Sequence, residues 1–151
     1  MRLIIYEDET FDNFYPLTYL RAIFELRCGA SSLAEKIQRA APKAPVAYFA
    51  RDVLVPVLRE RLGAPVNDPA MLQGDDLLLV NGRWLMLQPA DLSFQGADGL
   101  FGSNGTILAA QVSRATAARV AAKTPAELIA ALQAKLPVMG INATVISYLW
   151  E

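Results

Sequence analysis

The chain has 151 residues, a length typical of one domain, and its 54% apolar and 19% charged residues exclude an intrinsically disordered protein. Its net charge of −1 provides no basic footprint for nucleic acid, so we expect no nucleic-acid partner. The sequence has no histidine and one cysteine, Cys28, which excludes histidine-based catalysis, intramolecular disulfides and cysteine-based zinc clusters. Any catalysis must therefore rest on Arg, Lys, Asp, Glu, backbone amides or a bound Mg²⁺.

The amino terminus does not look like a targeting segment. Its apolar run, residues 3–6, is too short for a secretory signal, and no stretch approaches the roughly 18 apolar residues that cross a bilayer. We therefore predict no membrane association and a cytoplasmic location.

Predicted strands and helices alternate over the first 80 residues. The strand segments are apolar runs typical of strands buried on both faces, and they cover residues 3–6, 46–50 and 75–80. The helices between them have recognisable ends, with a cap at Ser31 or Ser32, a stop at Pro42, and a second helix over residues 51–62 that Gly63 terminates. The alternation predicts an α/β layered sandwich with a largely parallel sheet.

Two asparagine–glycine pairs carry the strongest signal for two-residue hairpin turns. Around Asn104-Gly105 the pattern predicts a hairpin over residues 99–112. Around Asn81-Gly82 two interpretations stay open, namely a hairpin over residues 77–87 or a loop at the edge of a substrate site.

The sequence pattern after residue 112 predicts two helices, and the chain ends in an apolar segment. Ser113 caps an alanine-rich helix to about residue 122, and a capping box at 124–127 begins a helix to about residue 135. Because the chain ends on large apolar residues, we expect residues 1–151 to be a single domain that forms the amino-terminal part of a longer protein. The alternative is a short terminal element docked on the core.

The most informative segment is residues 14–29. It contains Pro16-Leu17-Thr18, then Arg21, Glu25-Leu26-Arg27 and Gly29, all after the buried first strand. This constellation resembles the Pro-Leu-Thr signature of the sugar-1-phosphate nucleotidyltransferases, the NDP-sugar pyrophosphorylases. It is more similar to a divergent branch related to N-acetylglucosamine-1-phosphate uridylyltransferase, in which an arginine and a Glu-Leu-Arg-x-Gly run follow Pro-Leu-Thr. The match covers residues 3–37 well and 77–83 loosely.

The resemblance implies a fold, substrates and a cofactor. The fold is a Rossmann-like three-layer sandwich of the nucleotide-diphospho-sugar transferase type with a mostly parallel sheet, or a truncated version of it. The substrates are a nucleoside triphosphate and a sugar 1-phosphate, the product is an NDP-sugar, and the cofactor is Mg²⁺. In that branch a left-handed β-helix acyltransferase-like domain commonly follows, and through such a domain the protein would form a homo-oligomer.

Nucleotidyl transfer develops negative charge on phosphoryl oxygens, which cations and backbone donors must stabilise. We predict Arg21 and Arg27 as the catalytic cations, because a guanidinium can bind phosphate bidentately, with Glu25 orienting one of them. The alternative is a surface ion pair with Glu25. The other predicted nucleotide- or substrate-binding residues are Asp8, Pro16, Leu17, Thr18, Glu25, Gly29, Asn81, Gly82 and Arg83.

Two features separate the chain from the family pattern. Residues 7–14 contain no glycine and four carboxylates, which repel a triphosphate unless a cation intervenes. Asn81 stands where the family has a metal-binding aspartate. The alternative function is therefore a catalytically degenerate domain that binds a sugar nucleotide or assembles with an acyltransferase-like domain.

Other side chains near this segment have plain structural interpretations. Tyr15, Tyr19 and Phe24 are expected in the core. Residues 7–9 are more typical of a solvated loop than of a metal site, and Asp8 is the best metal candidate among them because it is nearest the strand end.

Overall fold

The computed structural model of the protein describes residues 1–86, 92 and 97–148. Its strands in chain order are β1 (Arg2–Tyr6), β2 (Arg27–Cys28), β3 (Ser31–Ser32), β4 (Val46–Phe49), β5 (Leu77–Asn81), β6 (Gly99–Ser103), β7 (Thr106–Val112) and β8 (Val138–Gly140). Its α-helices are α1 (Leu33–Ala40), α2 (Val55–Leu62), α3 (Arg114–Val120) and α4 (Pro125–Gln133).

Six of the strands form one central sheet in the order β4-β1-β5-β7-β6-β8. β1 pairs in parallel with both β4 and β5, and β8 pairs in parallel with β6. Only β7 runs the other way among these described strands, antiparallel to β5 and β6. The predicted α/β fold with a mostly parallel sheet is therefore confirmed.

The sheet is the middle of three layers, which explains its uninterrupted apolar strands. Leu3 and Ile5 of β1 point to a core that includes residues of α1 and α2, whereas Ile4 points to a core that includes residues of α3 and α4. A parallel strand covered on both faces needs apolar side chains at successive positions. All five residues of β5 are buried for the same reason.

The helix ends follow the predicted capping signals. The Ser32 side chain accepts a hydrogen bond from the Glu35 backbone N–H at the start of α1, and Thr124 does the same for Glu127 at the start of α4. Gly63 ends α2 with a φ of +59°, a left-handed conformation that favours glycine.

The predicted hairpin at Asn104-Gly105 is confirmed, and of the two interpretations left open at Asn81-Gly82 the hairpin is wrong. β6 and β7 pair around Asn104 and Gly105, which both take positive φ angles. Residues 83–86 do not pair back on β5, because β1 and β7 already occupy both of its edges. Burial of β5 between two strands thus overrides the local turn signal at Asn81-Gly82; residue 87 of that interpretation lies outside the described residues.

Of the three aromatic residues expected in the core, one is buried and two are exposed. Phe24 is fully buried, as expected, and its ring packs at a tilt against that of Tyr48. Tyr15 and Tyr19 are 38% and 62% exposed, so their assignment to the core is wrong. The two rings stack on each other, with centroids 4.3 Å apart, and this pairing covers one face of each ring without a place in the core.

Gly82 lies where β5 ends, in close contact with the first strand and with Phe24. A Cβ atom at this position would stand 2.8 Å from Phe24 Cβ and 3.1 Å from the Tyr6 carbonyl oxygen. We expect Gly82→Ala to lower the free energy of unfolding by about 1–3 kcal/mol, the usual cost of overpacking. Urea denaturation is the measurement. Gly140→Ala is the matched control, because a Cβ there meets no atom within 4 Å in the described structure; equal effects of the two substitutions would contradict the close approach.

Candidate functional site

A cleft opens at the carboxyl ends of β1 and β5, the position where open parallel sheets bind ligands. Two adjoining cavities of about 400 and 230 Å³ form it. The larger cavity extends toward Arg83 and the β6–β7 turn, and the smaller extends toward Asn67 and the end of β4. The residues that line both cavities are Tyr6, Asp8, Glu9 and Ala126.

Asp8 lies at the centre of the cleft and is held by residues that follow β1 and β5. Its Oδ1 accepts hydrogen bonds from the Thr10 hydroxyl at 2.6 Å and the Thr10 backbone N–H at 3.1 Å. Its Oδ2 accepts from Arg83 Nε at 2.8 Å and from Asn81 Nδ2 at 3.0 Å. Each carboxylate oxygen thus has two donors from the protein itself.

The charge state of Asp8 follows from this environment. Burial raises the pKa of the carboxyl group, but the hydrogen bonds from Asn81 and Thr10 and the positive charge of Arg83 outweigh burial. The net effect lowers the pKa below its ordinary value of 3.8, so Asp8 is a carboxylate at neutral pH.

Arg83 is the buried cation of the cleft, with 6% of its surface exposed. Its backbone N–H donates to Asn81 Oδ1 at 2.9 Å, which fixes the turn after β5. Its Nη1 lies 3.4 Å from the Ile146 carbonyl oxygen and its Nη2 lies 3.5 Å from Thr106 Oγ1, at the outer limit of hydrogen bonding. Within the described residues the guanidinium therefore makes one short hydrogen bond, to Asp8, and keeps donor capacity on its η nitrogens.

Glu7, next to Asp8 in the chain, forms a second ion pair on the other side of β1. Its side chain is 1% exposed, and its Oε1 lies 2.9 Å from Arg51 Nε. The N–H of that nitrogen is poorly aligned with Oε1, so the contact is an ion pair rather than a directed hydrogen bond. Glu7 Oε2 accepts from the Ile23 backbone N–H at 2.8 Å. Burial raises the pKa of Glu7, and the Ile23 hydrogen bond and Arg51 oppose that rise.

These contacts correct the interpretation of residues 7–9 as a solvated loop. Glu9 is exposed, as that interpretation requires, but Glu7 and Asp8 are not free in solvent. Their arginine partners follow the neighbouring strands β4 and β5. These arginines are distant in sequence from Glu7 and Asp8 and come close to them only because the strands pair. Two of the four carboxylates in residues 7–14 are thereby neutralised within the protein.

Arginines from the segment after β4 also hold the loop that carries Pro16-Leu17-Thr18. Arg51 Nη2 donates to the carbonyl oxygens of Thr18 at 2.7 Å and Arg21 at 2.8 Å. Arg61 of α2 donates to the Leu20 carbonyl oxygen at 3.0 Å and pairs with Glu25 Oε1 at 2.7 Å. The prediction that Glu25 orients Arg21 or Arg27 is therefore wrong, because α2 brings Arg61 against the loop.

The sequence model of the family described as sugar nucleotidyl transferase matches residues 3–151. That match spans nearly the whole chain. The protein belongs to the sugar nucleotidyl transferase family. No curated protein sequence matches the chain.

Solved structures give the same fold at low sequence identity. A protein of Bacillus anthracis assigned as a glucose-1-phosphate thymidylyltransferase aligns with 10% identity and a TM-score of 0.57, covering 95% of this chain and 88% of its own. The CTP:phosphocholine cytidylyltransferase LicC of Streptococcus pneumoniae aligns with 10% identity and a TM-score of 0.57, covering 99% and 94%. A Mycobacterium sp. strain JC1 homologue of M. tuberculosis rv0371c aligns with 12% identity and a TM-score of 0.61, covering 98% and 92%. These similarities establish a nucleotidyltransferase-like fold.

The predicted site residues of this sugar nucleotidyl transferase family member fall into two groups. Asp8, Asn81 and Arg83 come together in the cleft. Of the described residues that line its two cavities, none belongs to residues 16–29. The sequence analysis predicted both groups as parts of one binding site, whereas the described residues that line the cleft include none of the loop residues 16–29.

Within that loop each predicted residue has a defined setting. Pro16, Leu17 and Arg21 are exposed, and the buried Thr18 hydroxyl donates to the Phe11 carbonyl oxygen at 2.6 Å. Arg27 is exposed and donates to the Ala30 carbonyl oxygen at 2.9 Å across the β2–β3 turn.

The other two predicted glycines serve the backbone. Gly29 takes a φ of +79° in the β2–β3 turn, and Gly82 is buried against Phe24. Neither lines the cleft among its described residues.

Three functional residues were missed from the sequence: Thr106, which lines the cleft, and Arg51 and Arg61, which hold the loop. Arg51 had a usable signal, since it directly follows a predicted parallel strand at the sheet edge where ligands bind. Arg61 and Thr106 had none, because a helix and a hairpin turn bring them to the site from distant parts of the chain.

The donor set around Asp8 does not fit a protein-bound metal ion. Mg²⁺ prefers carboxylate and other oxygen ligands, and both oxygens of Asp8 are already occupied by donors that include a guanidinium. No group of three or more Cys, Asp or Glu side chains in residues 1–86, 92 and 97–148 could hold a metal ion. The predicted Mg²⁺ stays a prediction for an ion that would enter with a triphosphate.

No helix in the described ranges is long and apolar enough to cross a bilayer.

The Glu7–Arg51 pair should be energetically coupled. We expect Arg51→Met to lower the free energy of unfolding by about 3–5 kcal/mol, because it leaves the buried Glu7 carboxylate without its cation. The double substitution Glu7→Gln/Arg51→Met should be less destabilised than the sum of the single ones, by about 1–3 kcal/mol. Urea denaturation of all four proteins measures the coupling, and Arg114→Met, at an exposed arginine, controls for loss of charge. Strict additivity would contradict the pairing.

Asp8 should contribute to the pH dependence of stability. Its pKa is lowered in the folded protein, so its contribution is present above pH 3.8 and is lost as the pH falls through the folded-state pKa. Asp8→Asn should therefore show a shallower loss of unfolding free energy below about pH 4 than wild type. Chemical denaturation across that range is the measurement. Asp12→Asn, which removes an exposed carboxylate, should keep the wild-type slope; the idea fails if both variants behave alike.

Proposed function

We propose that the protein binds a nucleoside triphosphate and a sugar 1-phosphate in the cleft at the ends of β1 and β5 and forms an NDP-sugar. Family membership and a nucleotidyltransferase-like fold support this proposal. The observation that carries it is the Arg83 guanidinium, which is buried in the wall of that cleft, is oriented by Asp8 and makes only long hydrogen bonds, of 3.4 and 3.5 Å, through its η nitrogens.

The names of two structural neighbours support a particular reaction class for the proposed function. The first is named for thymidylyl transfer to glucose 1-phosphate. The second is named for cytidylyl transfer from CTP to phosphocholine. The shared reaction class is transfer of a nucleotidyl group to a phosphate monoester. The family description favours a sugar phosphate as the acceptor in this chain.

In the proposed reaction an oxygen of the sugar phosphate attacks the α-phosphorus of the triphosphate. A P–O bond forms there, the bond to the β-phosphate oxygen breaks, and pyrophosphate leaves with the electron pair. Charge builds on the phosphoryl oxygens, where a fixed guanidinium stabilises it without reorganising. Arg83 is placed to do this by Asp8 and Asn81, and the Thr106 hydroxyl beside it offers a further donor.

Arg21 and Arg27 remain proposed phosphate contacts from the loop side. Arg51 and Arg61 fix the backbone of the loop at Thr18, Leu20 and Arg21, while the Arg21 side chain is exposed. A fixed backbone with an exposed cation suits a residue that engages an arriving triphosphate. In this proposal Mg²⁺ is needed for the transfer reaction and not for binding, and it would offset the charge of the departing pyrophosphate.

A degenerate domain is the second candidate, and the segment after β1 favours it. Residues Glu9–Phe14 form a 3₁₀ helix in place of a glycine-rich loop, so few backbone N–H groups are available to surround a triphosphate. Such a domain would bind a sugar nucleotide without turnover, or assemble with a β-helix acyltransferase-like domain. We propose for both candidates a cytoplasmic protein.

Isothermal titration with UTP, dTTP and UDP-sugars tests the proposed site. Wild type should bind at least one of them, and Arg83→Met should weaken that binding by about tenfold or more, the usual effect of losing a bidentate charged contact. Arg114→Met, at the opposite end of the sheet, should bind as wild type does. Absence of binding to every ligand would contradict the proposal, and pyrophosphate release that Arg21→Ala abolishes would exclude the degenerate domain.

A further inference from the structure

The hydrogen bonds around Asp8 make this carboxylate unsuited to bind a metal ion. All four donors to the carboxylate come from Thr10, Asn81 and Arg83. The Asn81 amide is occupied as well, since its Oδ1 accepts from the Arg83 backbone N–H. A metal ion at Asp8 would have to displace these donors and stand beside a fixed positive charge.

The guanidinium can itself bind an oxyanion. Nε is committed to Asp8, but Nη1 and Nη2 make only long hydrogen bonds among the described residues, 3.4 Å to the Ile146 carbonyl oxygen and 3.5 Å to Thr106 Oγ1, so a phosphate oxygen can compete for them. The cavity of about 400 Å³ that Arg83 lines also exposes Thr106, whose hydroxyl group accepts from Arg83 Nη2 and can donate its own hydrogen to phosphate.

We infer that Arg83, anchored by Asp8 and Asn81, replaces a protein-bound divalent cation in this cleft, and that the cleft takes the phosphate groups of a nucleotide as the metal-free anion. The inference rests on the proposed nucleotide-binding function. It adds that the protein supplies the positive charge itself, so chelation of divalent metal leaves binding intact.

Charge pairing within the protein reduces the need for a metal ion. Glu7 and Asp8 are neutralised by Arg51 and Arg83, so the acidic segment after β1 is less repulsive than its sequence indicates. Glu9 and Asp52 also line the cleft, so the hydrogen bonds from Arg83 rather than a net positive charge have to hold the phosphate. Binding should therefore not require the metal.

The test is isothermal titration of the wild-type chain with UTP and dTTP, once in EDTA and once with Mg²⁺ in excess. We expect affinities in EDTA to lie within about threefold of those in Mg²⁺, or to be tighter. Binding that is lost, or weakened by more than about tenfold, in EDTA but present in Mg²⁺ would overturn the inference and leave the proposed function standing. Absence of binding in both buffers would overturn the proposed function and the inference with it.

Mn²⁺ provides a measurement that does not depend on a nucleotide. Electron paramagnetic resonance of Mn²⁺ mixed with wild-type protein should show the signal of the free ion. One bound Mn²⁺ per chain that disappears in Asp8→Asn would overturn the inference.

Variants of Arg83 test the role of the cation. Arg83→Met should reduce metal-free nucleotide binding by about tenfold or more, whereas Arg83→Lys, which keeps the charge but loses the bidentate geometry, should retain part of it. Arg114→Met should leave it unchanged, and circular dichroism establishes that each variant is folded. Metal-free binding that Arg83→Met does not alter would identify the Asp8–Arg83 pair as purely structural and overturn the inference.

Discussion

Two carboxylates leave β1 side by side, and each meets an arginine that follows a neighbouring strand. Glu7 pairs with Arg51 after β4, and Asp8 pairs with Arg83 after β5. The strand order β4-β1-β5 makes both pairs possible, because parallel pairing brings the carboxyl ends of the three strands to one edge of the sheet. Each pair is largely shielded from solvent, so a broken partner would leave a charge that water cannot fully hydrate. Arg51 of the first pair also holds the loop, and both residues of the second pair line the cleft.

Most of the architecture was predictable because it depends on local patterns. Apolar runs predicted the strands that are buried on both faces, and Ser32, Thr124 and Gly63 marked helix ends through contacts with adjacent residues. At Asn81-Gly82, where a hairpin was one of two open interpretations, the local turn preference competed with burial of β5 between two strands, and burial prevailed. The turn sequence was correct for a hairpin, but β7 had already taken the edge of β5 that a returning strand would need.

The site was predictable only in part, for a related reason. Asp8, Asn81 and Arg83 could be selected because they follow buried strands, and the ends of parallel strands converge. The partner of Glu25 could not be selected, since Arg61 reaches it from α2, 36 residues further along the chain. The sequence suggested that Glu25 serves the arginines beside it, and tertiary packing supplied a different arginine.

The hydrogen bonds that hold the loop affect which amino-acid substitutions its exposed surface can accept. Arg51 and Arg61 hold residues 18–21 through three carbonyl oxygens, which every amino acid possesses. The exposed side chains at Tyr19, Leu20 and Arg21 are therefore decoupled from the shape of the loop that carries them. Substitutions there can alter what the loop contacts while its backbone path is kept, so this surface can diversify between relatives without rebuilding the fold beneath it.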